Sequence, residues 1–196
     1  MTYHKNTSLF RVLVLPGSLR KSAFTGLLIR AFDQYKPDYI ELCHADISKL
    51  PVYNQDLELP EPSFLKEFKD QIRSCDGVLI VTPEYNRSIP PVLKNALDWA
   101  SRPQVAPGTG VWAGRPTAVA GVSPYSLGAF GAVHHLRQVL VFLNMPTMQQ
   151  PEFYLTFAID KFDDEGKLID NDTIKHIQNF WEHYIAFSKK ILAIKK

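Results

Sequence analysis

The run Gly77-Val78-Leu79-Ile80-Val81-Thr82-Pro83-Glu84-Tyr85-Asn86-Arg87-Ser88-Ile89-Pro90-Pro91-Val92-Leu93-Lys94-Asn95-Ala96-Leu97-Asp98-Trp99 changes character twice. Its opening is continuously apolar, which suits a strand buried on both faces of a parallel sheet. Its close begins with two prolines, residues suited to the amino end of a helix, and carries on as a helical segment. Between them stand an acid, a phenol, an amide and a hydroxyl. In an open parallel sheet the loop at a strand's carboxyl end faces the ligand crevice. Pro83, Glu84, Tyr85 and Asn86 are therefore candidates to grip a flat polar ring; the plainer reading is a turn with a surface tyrosine.

The same alternation of short apolar runs with longer helical segments extends along the chain, the pattern of a parallel sheet covered on both faces. Strands are expected at 11–15, 39–43, 77–82 and 116–121; a short fifth at 146–149, flanked by prolines and without alternation, is placed largely by analogy with five-stranded sheets of this kind. Helices are expected at 25–35, 63–74, 91–101, 129–143 and 172–190. Leu65, Phe68 and Ile72 recur at helical spacing with Lys66, Glu67, Lys69 and Asp70 between them, which makes the second helix amphipathic. The aromatic face of the last helix, Phe180, Trp181 and Tyr184, reads as core. Five strands at this length imply a flavodoxin-like, doubly wound α/β sheet in the order 2-1-3-4-5, so that ligands collect above strands one, three and four. The stretches 54–62 and 102–114 read as ordered loops, and residues 1–196 as one domain.

Composition narrows the function classes. A hydrophobic fraction of 45% and a formal charge of +2 fit a globular protein with no general affinity for polyanions, so nucleic acid is not an expected partner. No uncharged stretch approaches the roughly 20 residues needed to span a bilayer, and the amino terminus adjoins no long apolar run; a cytoplasmic protein is expected. Cys43 and Cys75 lie far apart and outside any Cys-x-x-Cys unit, which implies buried, reduced packing. His134 and His135 are adjacent, whereas metal ligands sharing a helix stand about three or four residues apart; no metal site is expected, and one of the two should pack while the other meets solvent or a neighbouring subunit.

Residues 16–26 join the first strand to the first helix. Such a turn aims backbone N–H groups at a helix amino end, where an anion is favoured. Ser18, Ser22 and Thr25 add hydroxyls and Arg20 a phosphate-shaped fork, so the loop reads either as a monophosphate cradle or as a solvated turn with a helix cap. It lacks the Gly-x-x-x-x-Gly-Lys-Ser/Thr and Gly-x-Gly-x-x-Gly patterns of nucleoside triphosphate and tightly held dinucleotide sites. After the fourth strand, residues 121–131 form a Gly- and Ser-rich loop able to bring backbone close to a flat ring.

The order Thr82-Pro83-Glu84-Tyr85-Asn86-x-Ser88-x-Pro90, running into Leu93-Lys94-Asn95-Ala96-Leu97-Asp98-Trp99, resembles the NADPH-dependent FMN reductase family, which includes bacterial quinone, azo-dye and chromate reductases. The likeness covers nearly the whole chain. Gly17, Ser18 and Arg20 match that family's phosphate signature, while Ala23 and Thr25 replace its usual serine and asparagine. The resemblance implies FMN held by residues 18–25 (Ser18, Leu19, Arg20, Lys21, Ser22, Ala23, Phe24 and Thr25), with backbone contacts at Ala23 and Phe24 and looser binding than a full match would give. It places the flavin ring against Pro83, Glu84, Tyr85, Asn86 and Ser123, with Tyr85 and Asn86 orienting incoming substrates; Glu84 reads equally as a solvated charge or as a brace for the loop or a subunit contact. It also implies a homodimer, or a tetramer, with Trp99, Tyr125 and Phe130 near the shared rim.

The expected activity is hydride transfer from NADPH or NADH through FMN to a small acceptor (a quinone, a flavin, an azo or nitro compound, or chromate) by a ping-pong mechanism in which no side chain acts as nucleophile. Two other readings differ in class. An electron-transfer flavodoxin would dock to redox proteins and resist bleaching by NADPH alone; a flavin-free binding module would stay colourless after FMN is added.

Overall fold

The computed structural model describes residues 9–102 and 110–193. In chain order the elements are β1 (Phe10–Pro16), α1 (Phe24–Gln34), β2 (Ile40–His44), α2 (Ser63–Arg73), β3 (Gly77–Thr82), α3 (Pro91–Ala100), β4 (Thr117–Val122), α4 (Phe130–Phe142), β5 (Phe153–Leu155) and α5 (Asn171–Ala193). The strands form one parallel sheet in the expected order, β2-β1-β3-β4-β5.

Every residue of β3 and β4 is buried, because helices cover both faces of the sheet. Alternation divides the side chains between two cores. Leu13, Leu15, Val78, Ile80 and Val119 pack beneath α2, α3 and α4. Val12, Val14, Leu79, Val81, Ala118 and Ala120 pack beneath α1 and α5. Each aliphatic side chain so buried contributes about 1.5–3 kcal/mol of transfer free energy. The aromatic face of α5 is core, as its spacing implies. The Trp181 indole donates to the Phe32 carbonyl at 3.0 Å. The Tyr184 hydroxyl lies 3.1 Å from the Val78 carbonyl and 2.9 Å from that of Pro116, tying α5 to the amino ends of the two central strands.

The fifth strand departs from expectation. Residues 146–149 meet β4 only in an isolated bridge, Thr117 to Thr147, framed by Thr117 N–H to Pro146 O at 2.8 Å and Met148 N–H to Thr117 O at 2.9 Å. The strand that completes the sheet is Phe153–Leu155, paired with Ala120 through Val122. Its two outer residues are buried and Tyr154 is half-buried, an alternation too short to stand out in the sequence. Residues 54–62 are ordered as expected: Asn54 caps a single helical turn at Gln55–Leu57, and the Glu58 carboxylate receives bonds from Tyr53 and Arg102. Of the loop expected at 102–114, residues 103–109 lie outside the described residues. Lys69, expected on the polar face of α2, is buried and paired with Glu61 at 2.5 Å.

Cys43 is half-buried and Cys75 buried, both as free thiols. Burial, with Cys43 beside it, pushes the Cys75 thiol up to about 12, so it stays protonated and packs. Neither His134 nor His135 enters the core. Both are exposed on α4, His134 Nε2 3.3 Å from the Tyr154 hydroxyl and His135 Nδ1 2.8 Å from Ser88 Oγ. Successive residues of a helix diverge by about 100°, yet the α4 core is served by Ala132, Val133, Leu136 and Leu140, which leaves both imidazoles at its edge. Trp99 is fully buried, with its indole donating to Pro51 O at 2.7 Å, so it offers no surface to a partner subunit.

Candidate active site

The carboxyl ends of β1, β3 and β4 bring three loops together around a cavity of about 330 Å³. Ser18, Arg20, Ala23, Phe24 and Thr25 line it from the first loop, Pro83, Glu84 and Tyr85 from the second, and Ser123 from the third. Val122, Pro124 and Tyr125 complete the lining and were not among the residues expected there. Their signal was present: they belong to the Gly- and Ser-rich loop at the carboxyl end of β4. Leu19, Lys21, Ser22 and Asn86 are outside the lining. Leu19 and Lys21 are exposed, Ser22 offers its carbonyl to Arg20 Nη2 at 3.0 Å, and Asn86 sits at the tip of its loop with φ 50°.

The first loop is shaped for an anion. α1 starts after Ala23, whose methyl cannot cap it, and no side chain among the described residues does so. The hydroxyl expected near the helix start is not a cap. Thr25 is 2% exposed, and its Oγ1 finds no hydrogen-bond partner among the described residues. An orphaned buried hydroxyl is costly, and this one belongs to a cavity-lining residue at an uncapped helix end. Ser18 Oγ accepts the Arg20 N–H at 3.3 Å, a local bond that shapes the turn. Gly17 lets the loop cross close to β3. Its N–H donates to Val81 O at 2.7 Å, and a Cβ there would stand 2.8 Å from Thr82 Cα and 2.9 Å from Pro83 Cδ.

The second loop is a tight hairpin. Tyr85 and Ser88 exchange backbone bonds of 3.0 and 2.9 Å around Asn86 and Arg87, both at positive φ. That geometry favours Asn and Gly, so Asn86 is at home and Arg87 is strained. Tyr85 is about half exposed, at 49%. In the third loop Ser123 Oγ accepts the Tyr125 N–H at 3.1 Å, and Ser123 N–H donates to Leu155 O. The donor set fits one phosphate at the end of α1, and the half-exposed phenol and the serine loop fit a flat polar ring beside it. FMN carries both.

Comparison with known proteins agrees with this geometry. Residues 10–160 match the family described as NADPH-dependent FMN reductase. A quinone reductase of Pseudomonas putida is 46% identical over 184 residues, 93% of this chain and 97% of that one. A 2-hydroxy-1,4-benzoquinone reductase of a Burkholderia species is 42% identical, covering 90% of this chain and 95% of its own. Among solved structures, a flavoenzyme NAD(P)H:(acceptor) oxidoreductase from Paracoccus denitrificans superposes with a TM-score of 0.85 at 35% identity, over 93% of this chain and 98% of the other. The protein is an enzyme that uses FMN with NAD(P)H, and the chain belongs to the NADPH-dependent FMN reductase family.

Proposed function

We propose that the chain is a cytoplasmic, single-domain quinone reductase that takes hydride from NADPH or NADH and passes two electrons to a quinone. The observation that carries this reading is the convergence on one cavity of an uncapped helix end, a half-exposed tyrosine and Thr25, whose buried hydroxyl has no partner among the described residues. Bound FMN supplies the hydride chemistry. Ser18, Arg20, Thr25 and the N–H groups at Phe24 and Thr25 hold its phosphate, while the Ala23 N–H, which donates to Arg20 O at 3.1 Å, shapes the turn around it. Backbone groups of Pro83, Glu84, Tyr85 and Asn86, with Ser123, meet the ring. Tyr85 and Asn86 orient the nicotinamide and then the acceptor. Leu19, Lys21 and Ser22 frame the cradle, with the Ser22 carbonyl steadying Arg20. Relatives named for quinones favour a quinone over azo, nitro or chromate acceptors.

A single crevice serves both substrates in turn, so the kinetics are ping-pong. Initial rates over a matrix of NADPH and benzoquinone concentrations give parallel double-reciprocal lines; intersecting lines, with a ternary complex trapped by a dead-end nicotinamide analogue, refute the shared crevice. A homodimer forms through exposed apolar groups near the crevice, among them Tyr125 at 75% and Phe130 at 52% exposure, with a tetramer as the larger alternative. Light scattering at micromolar concentration that returns a monomer refutes the dimer. Among the described residues no helix is long and apolar enough to cross a membrane.

A further inference from the structure

Glu84 lines the cavity, yet its carboxylate is engaged elsewhere. Oε2 accepts the Ala132 N–H at 3.0 Å, and Oε1 accepts from Arg87 Nη1 at 3.1 Å, with the glutamate side chain only 13% exposed. The first bond is a helix cap provided from outside the helix. α4 follows Ala129, which is left-handed at φ 66° and has no side chain able to cap. A carboxylate at a helix amino end satisfies a free N–H and favours the dipole. The second bond restrains the strained Arg87 of the hairpin. Gly131 makes room for both: a Cβ there would stand 3.0 Å from Glu84 Oε2 and 3.3 Å from the Arg87 carbonyl. Ser88 adds another stitch through His135 on the next turn of α4.

We propose that Glu84 is a positioning residue whose carboxylate clasps the Tyr85–Asn86 hairpin to the amino end of α4, and so sets the spacing between the second and third loops of the crevice. Its side chain does not bind the cofactor. The inference rests on the reading of the crevice as a flavin and nicotinamide site only for its catalytic consequence; the clasp itself belongs to the free protein. Because the phosphate cradle sits on a different loop, loss of the clasp disturbs substrate placement more than cofactor affinity.

The test compares Glu84→Ala, Glu84→Gln and Gly131→Ala with wild type. In flavin-free protein, hydrogen exchange at residues 83–88 and 129–133 accelerates about tenfold in Glu84→Ala, as expected for losing a charge-assisted bond. In FMN-loaded protein kcat/KM falls by about tenfold, the visible circular dichroism of the flavin changes, and the FMN Kd moves by less than about threefold. Glu84→Gln, which keeps an oxygen for Ala132, recovers most of the loss. Gly131→Ala reproduces it, and does so far less in the Glu84→Ala background, because both act on one contact. Exchange and kcat/KM that match wild type in Glu84→Ala overturn the proposal, as do effects of the two sites that simply add. If Glu84→Ala does not fold, the same comparison between Glu84→Gln and Gly131→Ala decides. Wild-type protein that takes no FMN sinks the functional reading alone, and the exchange result then stands by itself.

Discussion

Replacing Thr25 by valine separates the needs of the fold from those of the site. The two side chains are nearly isosteric and both β-branched, so packing and helix propensity change little. What changes is Oγ1, buried and without a partner among the described residues. A buried hydroxyl left unsatisfied costs about 1–3 kcal/mol, so Thr25→Val should stabilise the flavin-free protein by about 1 kcal/mol or more. If the hydroxyl instead awaits a phosphate oxygen, the same change removes a hydrogen bond to a charged group. That loss is about 1.5–3 kcal/mol, an increase of roughly 10- to 150-fold in the FMN Kd. The signs are opposite, which a general packing defect cannot imitate. Urea unfolding of the flavin-free variant reads the first effect and calorimetric FMN titration the second. A variant that is less stable without flavin and binds FMN as tightly as wild type would refute the reasoning.

Other consequences follow from neighbouring contacts. Arg20→Ala should weaken FMN by about 1.5 kcal/mol, the low end for a charged hydrogen bond because Arg20 is exposed; unchanged affinity by calorimetry in a folded variant removes the arginine from the site. Gly17→Ala sets a methyl 2.8 Å from Thr82 Cα and should cost about 1–3 kcal/mol of stability, with weaker FMN binding as the first and second loops are forced apart; an unshifted urea midpoint contradicts the close crossing. The hydrogen bond from Arg102 holds the Glu58 carboxyl below its usual range, and bonds from Thr173 do the same for Asp170. Both folded-state values lie below the unfolded ones, so their stabilisation is complete above about pH 5 and is lost as pH falls through 4 and below. Glu58→Gln should therefore be less stable than wild type at pH 7, by a margin that narrows in acid; a margin independent of pH refutes the assignment.

Much of this was legible from local chemistry. β1, β3 and β4 announce themselves as apolar runs too short for helices, and the loops after them carry the polar residues that line the cavity. What escaped depends on contacts between distant residues. β5 is too short to show a period, and the bridge at Thr147 marks where the chain passes β4 before the true strand begins. Thr25 was legible as a hydroxyl near a helix start, but its burial without a partner among the described residues is a property of the packed fold. Trp99 reads as a rim aromatic and is core, because residues 50–53 fold back over α3 and supply the Pro51 carbonyl. Glu84 reads as a ring contact or as a brace for its loop, and only the packed fold shows that its carboxylate accepts a backbone N–H 48 residues away.

The most direct test of the central claim is the visible spectrum of the purified protein loaded with FMN, followed by anaerobic titration with NADPH. A flavin reductase built around this crevice should show protein-bound flavin absorption that bleaches rapidly with one equivalent of NADPH and returns when benzoquinone is added. A protein that stays colourless after FMN addition, or whose bound flavin is not reduced by either NADPH or NADH, would contradict the account.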